Sequence, residues 1–185
     1  MQIPYHFHIR SGLPKKTQTY IFFDIVNVQK FRNDLRLFIP IIKTVSQILK
    51  DRKDIDEHKK KKLPGLLPIV GVNTSFSHTG FVKLGVDDST LTNGNDNPFQ
   101  IGQKKDAVKN LGDPKKADGN PDWDPKFLQD IHGVILISGD SHANVNKKKL
   151  KVELLFGVNT PLASNREITS IVGDVHPGDQ DGHEQ

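Results

Sequence analysis

Apolar residues along the chain alternate between strand-like runs and helix-like spacings, and this alternation predicts the order of the elements. The stretch "TQTYIFFDIVN" (17–27) is rich in aromatic and β-branched residues, which favours a strand. The apolar residues that follow are spaced alternately three and four apart, which lines one side of a helix. They are Val28, Phe31, Leu35, Phe38, Ile42, Val45 and Leu49. Asn27 is placed to cap this helix, Pro40 predicts a kink or break, and the helix should fade within residues 51–62.

The rest of the chain predicts three more strands and two more helices. The strands are predicted at residues 67–77, 132–140 and 166–175, and the helices at 78–86 and 142–156, the latter capped by Ser141. Residues 87–126 are dense in Gly, Pro, Asn, Asp and Lys, and form a long excursion with a helical turn near "KDAVKNL". The order β-α-β, excursion, β-α-β predicts an α+β fold of the ferredoxin-like type, a four-stranded antiparallel sheet with its helices on one face.

Both faces of this predicted sheet are apolar. In the first strand Ile21, Phe23 and Ile25 point to one side, and Tyr20, Phe22 and Val26 point to the other. The third strand repeats the pattern, with Ile135 and Ile137 opposite Val134 and Leu136. Since a solvated face should alternate with polar residues, the second face is expected to be covered as well. The cover is either a second copy of this chain or a second domain that the chain lacks.

Composition excludes several classes of protein. The 185 residues suit one domain, and the absence of cysteine excludes disulfides, thiolate metal sites and thiol catalysis. The longest apolar run, "LFIPII", is far shorter than the roughly 20 residues of a membrane span, so no membrane association is predicted. The start does not resemble a signal peptide, which makes a cytoplasmic location the default and leaves an extracellular one open.

The net charge of +4 comes from lysine clusters at residues 59–62 and at 147–149 and 151. A basic cluster can bind nucleic acid. No aromatic or Arg residue interleaves with these lysines as a stacking platform would require, so the pattern favours a solvated helix end or face and no nucleic-acid partner.

No residue pattern points to a reaction. The eight His residues form no tight metal spacing; His6 and His8 share one side of a strand, but two ligands do not make a site. The "GDSH" stretch (139–142) is interpreted as a strand-to-helix turn with a capping Ser rather than a catalytic site. Asp174, Asp179 and Asp181 are interpreted as turn formers rather than an acid–base pair.

Several blocks resemble the fungal branch of the dye-decolourising (DyP-type) peroxidases, a haem peroxidase family. They are "GLPKKTQTYIFFDIVNV", "FSHTGFVKLGV", "NPFQIGQKKDAVKNLGDP", "DWDPKF", "IHGVILISGDS" and "EITSIVGDVHPGDQDGHEQ". The resemblance runs from about residue 12 to the end of the chain. It implies a family fold of two ferredoxin-like halves packed sheet against sheet, a dimeric α/β barrel with haem in the C-terminal half. This chain looks like the N-terminal half alone.

The resemblance divides the chain into three parts. Residues 1–11 are an atypical N-terminal segment, residues 12–177 are the N-terminal ferredoxin-like domain with its excursion at 87–126, and residues 178–185 are a truncated link to a missing C-terminal haem domain. The family's distal acid lies in a GxxDG signature, and its proximal His and distal Arg come later still. No catalytic, cofactor-binding or metal-binding residue is therefore expected in this chain, and no His inherits the role of iron ligand.

Residues 178–182 spell GxxDG, which would make Asp181 the catalytic acid. In the family a "GHE" stretch precedes the signature, whereas here it overlaps and follows the match. The register therefore argues against Asp181 in that role.

The function implied is that of the N-terminal domain of a haem-dependent peroxidase that reduces hydrogen peroxide and oxidises dyes or phenols. This chain alone is expected to be inactive and to bind haem weakly or not at all. Its expected partners are the missing haem domain or a second copy, with peroxide and small aromatic substrates acting in the full enzyme. The alternative is a non-catalytic α+β interaction module that dimerises through its open sheet face.

Overall fold

A computed structural model describes residues 16–91, 97–107 and 109–175. The strands are β1 (Thr17–Ile25), β2 (Val70–Phe76), β3 (Gly133–Gly139) and β4 (Asn165–Asp174). They form one four-stranded sheet in the order β2-β3-β1-β4, with every neighbouring pair antiparallel. The predicted ferredoxin-like sheet is confirmed, and β1 is one of its two central strands.

The three predicted helices begin where expected, at Val28, His78 and His142, and the structure adds further short helices. The helices are α1 (Val28–Phe38), α2 (Val45–Lys60), α3 (His78–Lys83), α4 (Asp88–Leu91), α5 (Asn97–Ile101), α6 (Gln103–Asp106) and α7 (His142–Phe156). Asn27 caps α1 by accepting from the backbone N–H of Lys30, and Ser141 caps α7 by accepting from that of Asn144. Both predicted caps are confirmed.

The core lies between one face of the sheet and the helices α1 and α7. Its buried apolar side chains are Ile21, Phe23, Ile25, Phe31, Phe38, Val72, Ile135, Ile137, Val145, Val152 and Phe156. Phe156 of α7 stacks on Phe31 of α1 with ring centroids 5.2 Å apart, and also contacts Phe38 at 5.3 Å. These aromatic contacts join the two helices over the central strands.

The helix after β1 breaks at Pro40, as predicted, and continues as a 3-10 turn (Ile39–Ile41) before α2. The helix was expected to fade within residues 51–62, and α2 remains helical through most of that stretch before it ends at Lys60. A capping box between Thr44 and Gln47 starts it, and ion pairs four residues apart, such as Lys50–Asp54 at 2.6 Å, support it. No residue of α2 is buried, so charge pairing replaces core packing here.

The long excursion after α3 holds the short helices α4, α5 and α6 and then an irregular segment. The indole nitrogen of Trp123 donates to Asp113 at 2.9 Å, which ties this segment to itself. A 3-10 turn (Pro125–Leu128) then returns the chain to β3. Across the described ranges, the helices are all too short or too polar to cross a membrane.

Candidate interaction face and its ionic row

The sheet face away from α1 and α7 carries a patch of apolar side chains. Tyr20 of β1 is opposite Leu136 of β3, and Phe22 is opposite Val134, so the four side chains form two adjacent pairs. All four are half-buried, and Ile171 of the edge strand β4, opposite Tyr20, is 44% exposed. We call these five residues the open face.

Polar residues border the open face along both edge strands. Asn73 and Ser75 of β2 are exposed beside Leu136 and Val134, and Thr169 of β4 lies beside Phe22. The face is thus apolar along the central strands and polar at its rim, which is the usual anatomy of a protein interface.

The chain itself covers one part of the open face. The ring of Phe127, from the 3-10 turn before β3, meets the ring of Phe22 edge-on with centroids 5.2 Å apart. The sequence pattern predicted a cover from outside the chain and did not identify this contact. The excursion therefore supplies part of the cover over β1.

An ionic row lies at one end of the same face and consists of Asp24, His132 and Arg166. The carboxylate of Asp24 is 2.8 Å from Nδ1 of His132 and 3.0 Å from Nη2 of Arg166. Asp24 and His132 are largely buried, whereas the Arg166 side chain is 63% exposed. This geometry anchors the starts of β3 and β4 to the end of β1.

His132 has two competing partners at one ring nitrogen. Its Nδ1 lies 3.0 Å from the backbone nitrogen of Ile25 as well as 2.8 Å from Asp24. A neutral ring with its proton on Nε2 accepts from the Ile25 N–H, whereas a ring protonated on Nδ1 donates to the carboxylate. The position of the proton on the His132 ring thus decides which of the two contacts forms.

A polar cavity of about 610 Å³ opens beside the ionic row. Lys83 and Lys104 contribute to its wall, and the Lys104 ammonium donates to the carbonyl of Leu128 at 2.7 Å. Because these lysines come from the excursion and from α3, the cavity joins the excursion to the end of the sheet. Its charged groups favour a polar or ionic contact at this end of the face.

Of the candidate residues that the structure describes, Asp174 and His142 are brought together, with a carboxylate oxygen of Asp174 3.0 Å from Nε2 of His142, and both side chains are exposed. In the "GDSH" turn, Ser141 caps α7 and Asp140 accepts twice from the side-chain amide of Asn144. The remaining candidates fall outside the described residues, and they are His6, His8, His176, Asp179, Asp181 and His183.

The other described histidines also have partners of their own. Nε2 of His58 is 3.0 Å from the carbonyl oxygen of Gly65, and Nε2 of His78 is 2.5 Å from Asp88. Within the part of the chain that the structure covers, no group of three or more His, Asp or Glu residues is arranged to hold a metal ion.

Sequence reasoning missed the ionic row. Its members stand in three separate stretches, and nothing in their spacing connects them. The strand register does connect them, because Phe23 pairs with Gly133 and Asp24 pairs with Arg166. Aligning the "YIFFD" and "HGVILI" stretches antiparallel would have placed His132 next to Asp24.

Comparison with known proteins identifies the family. The model of the DyP dimeric alpha+beta barrel domain matches residues 8–177. Dye-decolorizing peroxidase msp1 of Mycetinis scorodonius is 30% identical over 178 residues, which are 95% of this chain and 30% of that protein.

Solved structures agree in fold. A variant of the dye-decolorizing peroxidase from Pleurotus ostreatus is 51% identical, with a TM-score of 0.80 over 91% of this chain and 34% of that one. A dye-decolorizing peroxidase in complex with 2,6-dimethoxyphenol is 27% identical, with a TM-score of 0.68 over 93% of this chain and 34% of that one.

This chain therefore spans about a third of the length of the peroxidases it matches. The family model covers nearly all of it, in the N-terminal domain of those proteins, and the fold of the chain matches that of the solved structures. The chain belongs to the dye-decolourising peroxidase family.

Proposed function

We propose that this chain is the N-terminal domain of a haem-dependent peroxidase that reduces hydrogen peroxide and oxidises dyes or phenols. The observation that carries the proposal is the open face, an apolar surface on a chain whose family is built as a dimeric alpha+beta barrel. A second ferredoxin-like half would bury Tyr20, Phe22, Val134 and Leu136. Haem, when bound by the complete protein, supplies the peroxide chemistry.

We expect the iron ligand and the distal groups to come from another part of the complete protein, because this chain matches only about a third of the length of the related peroxidases. Among the described residues, the apolar cavity of about 520 Å³ near α2 has one histidine in its wall, His58, and Nε2 of that ring is 3.0 Å from the carbonyl oxygen of Gly65.

The role of this chain in the complete enzyme is then to hold the other half in place. The open face supplies apolar area, and the ionic row at its end supplies charges that fix the register between the halves. Charged pairs at an interface specify orientation more than they add affinity. The phenol complex of a related peroxidase supports small phenols as the substrate class.

Reconstitution tests the proposal. The chain is mixed with the separately produced remainder of the Pleurotus ostreatus peroxidase, and peroxide-dependent oxidation of 2,6-dimethoxyphenol is measured. We expect activity from the mixture and none from this chain alone. The variant Leu136→Lys places a charge on the open face and should abolish the gain, whereas Leu154→Lys, at a position 79% exposed on α7, should leave it unchanged.

Two results would contradict the proposal. One is a mixture that is no more active than the remainder by itself. The other is a Soret band that stays with the 185-residue chain through gel filtration after addition of haemin, because it would show that this chain holds haem alone.

The open face also suits a second copy of this chain, which makes a non-catalytic dimerising module the second candidate function. Sedimentation separates the two candidates. A haem-free dimer of the wild-type chain that Leu136→Lys converts to monomers, without any reconstituted activity, would favour the module.

A further inference from the structure

Four side chains on one side of α7 face a cleft beside the edge strand β2. Asn144, Lys147, Lys148 and Lys151 follow the spacing i, i+3, i+4 and i+7, which aligns them along the helix. Pro68 and Val70 form the opposite wall, and the cleft measures about 230 Å³. No carboxylate lines it.

The lysines of this cleft are not neutralised. Lys149, on another side of α7, contacts both Glu153 and Glu167. Among the described residues, by contrast, Lys147, Lys148 and Lys151 form no ion pair. The contrast along one helix shows that the fold pairs one lysine with carboxylates and leaves three cations together.

The pKa of Lys148 reflects its partial burial and the neighbouring positive charges. Partial burial lowers the pKa of Lys148 below its ordinary value, and the nearby ammonium groups of Lys151 and Lys43 lower it further. The protonated form of Lys148 is therefore disfavoured in the folded chain. An anion in the cleft would offset both the repulsion and the partial loss of hydration.

We propose that this cleft binds a phosphate group, either free or carried by a small organic molecule. Ammonium groups are compact donors suited to phosphate oxygens, and three lysines line this cleft. The cleft is too small for a polymer backbone to follow, and its lining has no Arg or aromatic side chain on which a base could stack. Small phosphates therefore fit better than nucleic acid, and the site is independent of the open face on the other side of the sheet.

Calorimetric titration of the 185-residue chain tests this inference, with inorganic phosphate and glycerol 3-phosphate as probes at constant ionic strength in chloride. Saturable binding of either probe is expected, and tighter binding of the ester would assign the site to organic phosphates. The double variant Lys148→Gln, Lys151→Gln should weaken binding about tenfold or more. Lys126→Gln, which removes the same kind of charge from the opposite side of the sheet, should not.

A second measurement is the pKa of Lys148 with and without phosphate. Phosphate should raise the pKa of Lys148, measured by NMR of its side-chain carbon next to nitrogen, because an anion favours the protonated form. Equal weakening of phosphate binding by Lys126→Gln and by the double variant would overturn the proposal, because it would indicate diffuse charge attraction. The absence of saturable phosphate binding, or binding of duplex DNA alone, would overturn it as well.

Discussion

Truncations of two adjacent residues, Leu136→Ala and Ile137→Ala, compare the two faces of the sheet directly. Ile137 is fully buried in the core, with 0% exposure, and its neighbour Leu136 is half-buried on the open face. Replacing Ile137 removes three carbons, or about 2.4 kcal/mol of transfer free energy, and the cavity raises the total to about 3–4 kcal/mol. Leu136 keeps part of its contact with water, so its truncation should cost about 1 kcal/mol or less.

These two variants are read by urea titration and thermal melting of the isolated chain. At this chain length each kcal/mol moves the melting temperature by about 2–4 °C, so the Ile137 variant should melt about 6–16 °C lower and the Leu136 variant about 4 °C lower or less. In the reconstituted peroxidase, Leu136→Ala should also weaken the association of this chain with the remainder, because we expect the Leu136 side chain to be buried between them. Equal losses in the isolated chain would refute the reasoning, since they would mean that the open face is already fully covered.

Three further predictions concern stability. Asp34→Ala removes the carboxylate that accepts from the buried Ser164 hydroxyl, which keeps the carbonyl of Phe156 as a second acceptor, and should lower the free energy of unfolding by about 1–2 kcal/mol. Asp54→Ala, in an exposed pair, should change it by about 0.5 kcal/mol or less, and similar urea midpoints for the two variants would contradict this. Gly80→Ala places a methyl group 2.0 Å from a backbone carbonyl oxygen and should lower the melting temperature, and Gly173→Ala, which meets no atom within 4 Å, should not; two unchanged melts would refute the close approach. Because the pKa of Lys148 is lowered, its charge destabilises the fold below that pKa, and stability should rise as pH increases through the lowered pKa towards 10.5. The gain, measured by urea titration, should vanish in Lys148→Gln, and an equal gain in that variant would contradict the assignment.

The strands and the two core helices were predictable because their signals are local. The aromatic and β-branched residues of 17–27 favour a strand, and the spacing of Phe31 and Phe38 favours a helix, and the structure has both elements. The caps at Asn27 and Ser141 were predictable for the same reason.

Other features depend on contacts between residues that are far apart in the sequence, which local spacing does not predict. The ionic row joins residues more than a hundred positions apart and exists only in one strand register. The contact between Phe127 and Phe22 depends on the path of the excursion across the sheet. The exact end of α2 at Lys60 was not predictable because a helix without buried residues has no apolar stripe to mark its end.

The position of β1 in the sheet also affects how the chain folds during its synthesis. Its two hydrogen-bonding neighbours, β3 and β4, both belong to the second half of the chain, and Thr17 pairs with Gly139 and Asp174. During synthesis an apolar strand therefore leaves the ribosome early, and both of its edges stay bare until more than a hundred further residues have been added. Bare strand edges recruit other chains. We expect the nascent chain to depend on chaperones until β3 emerges, and slower translation of the excursion to increase aggregation.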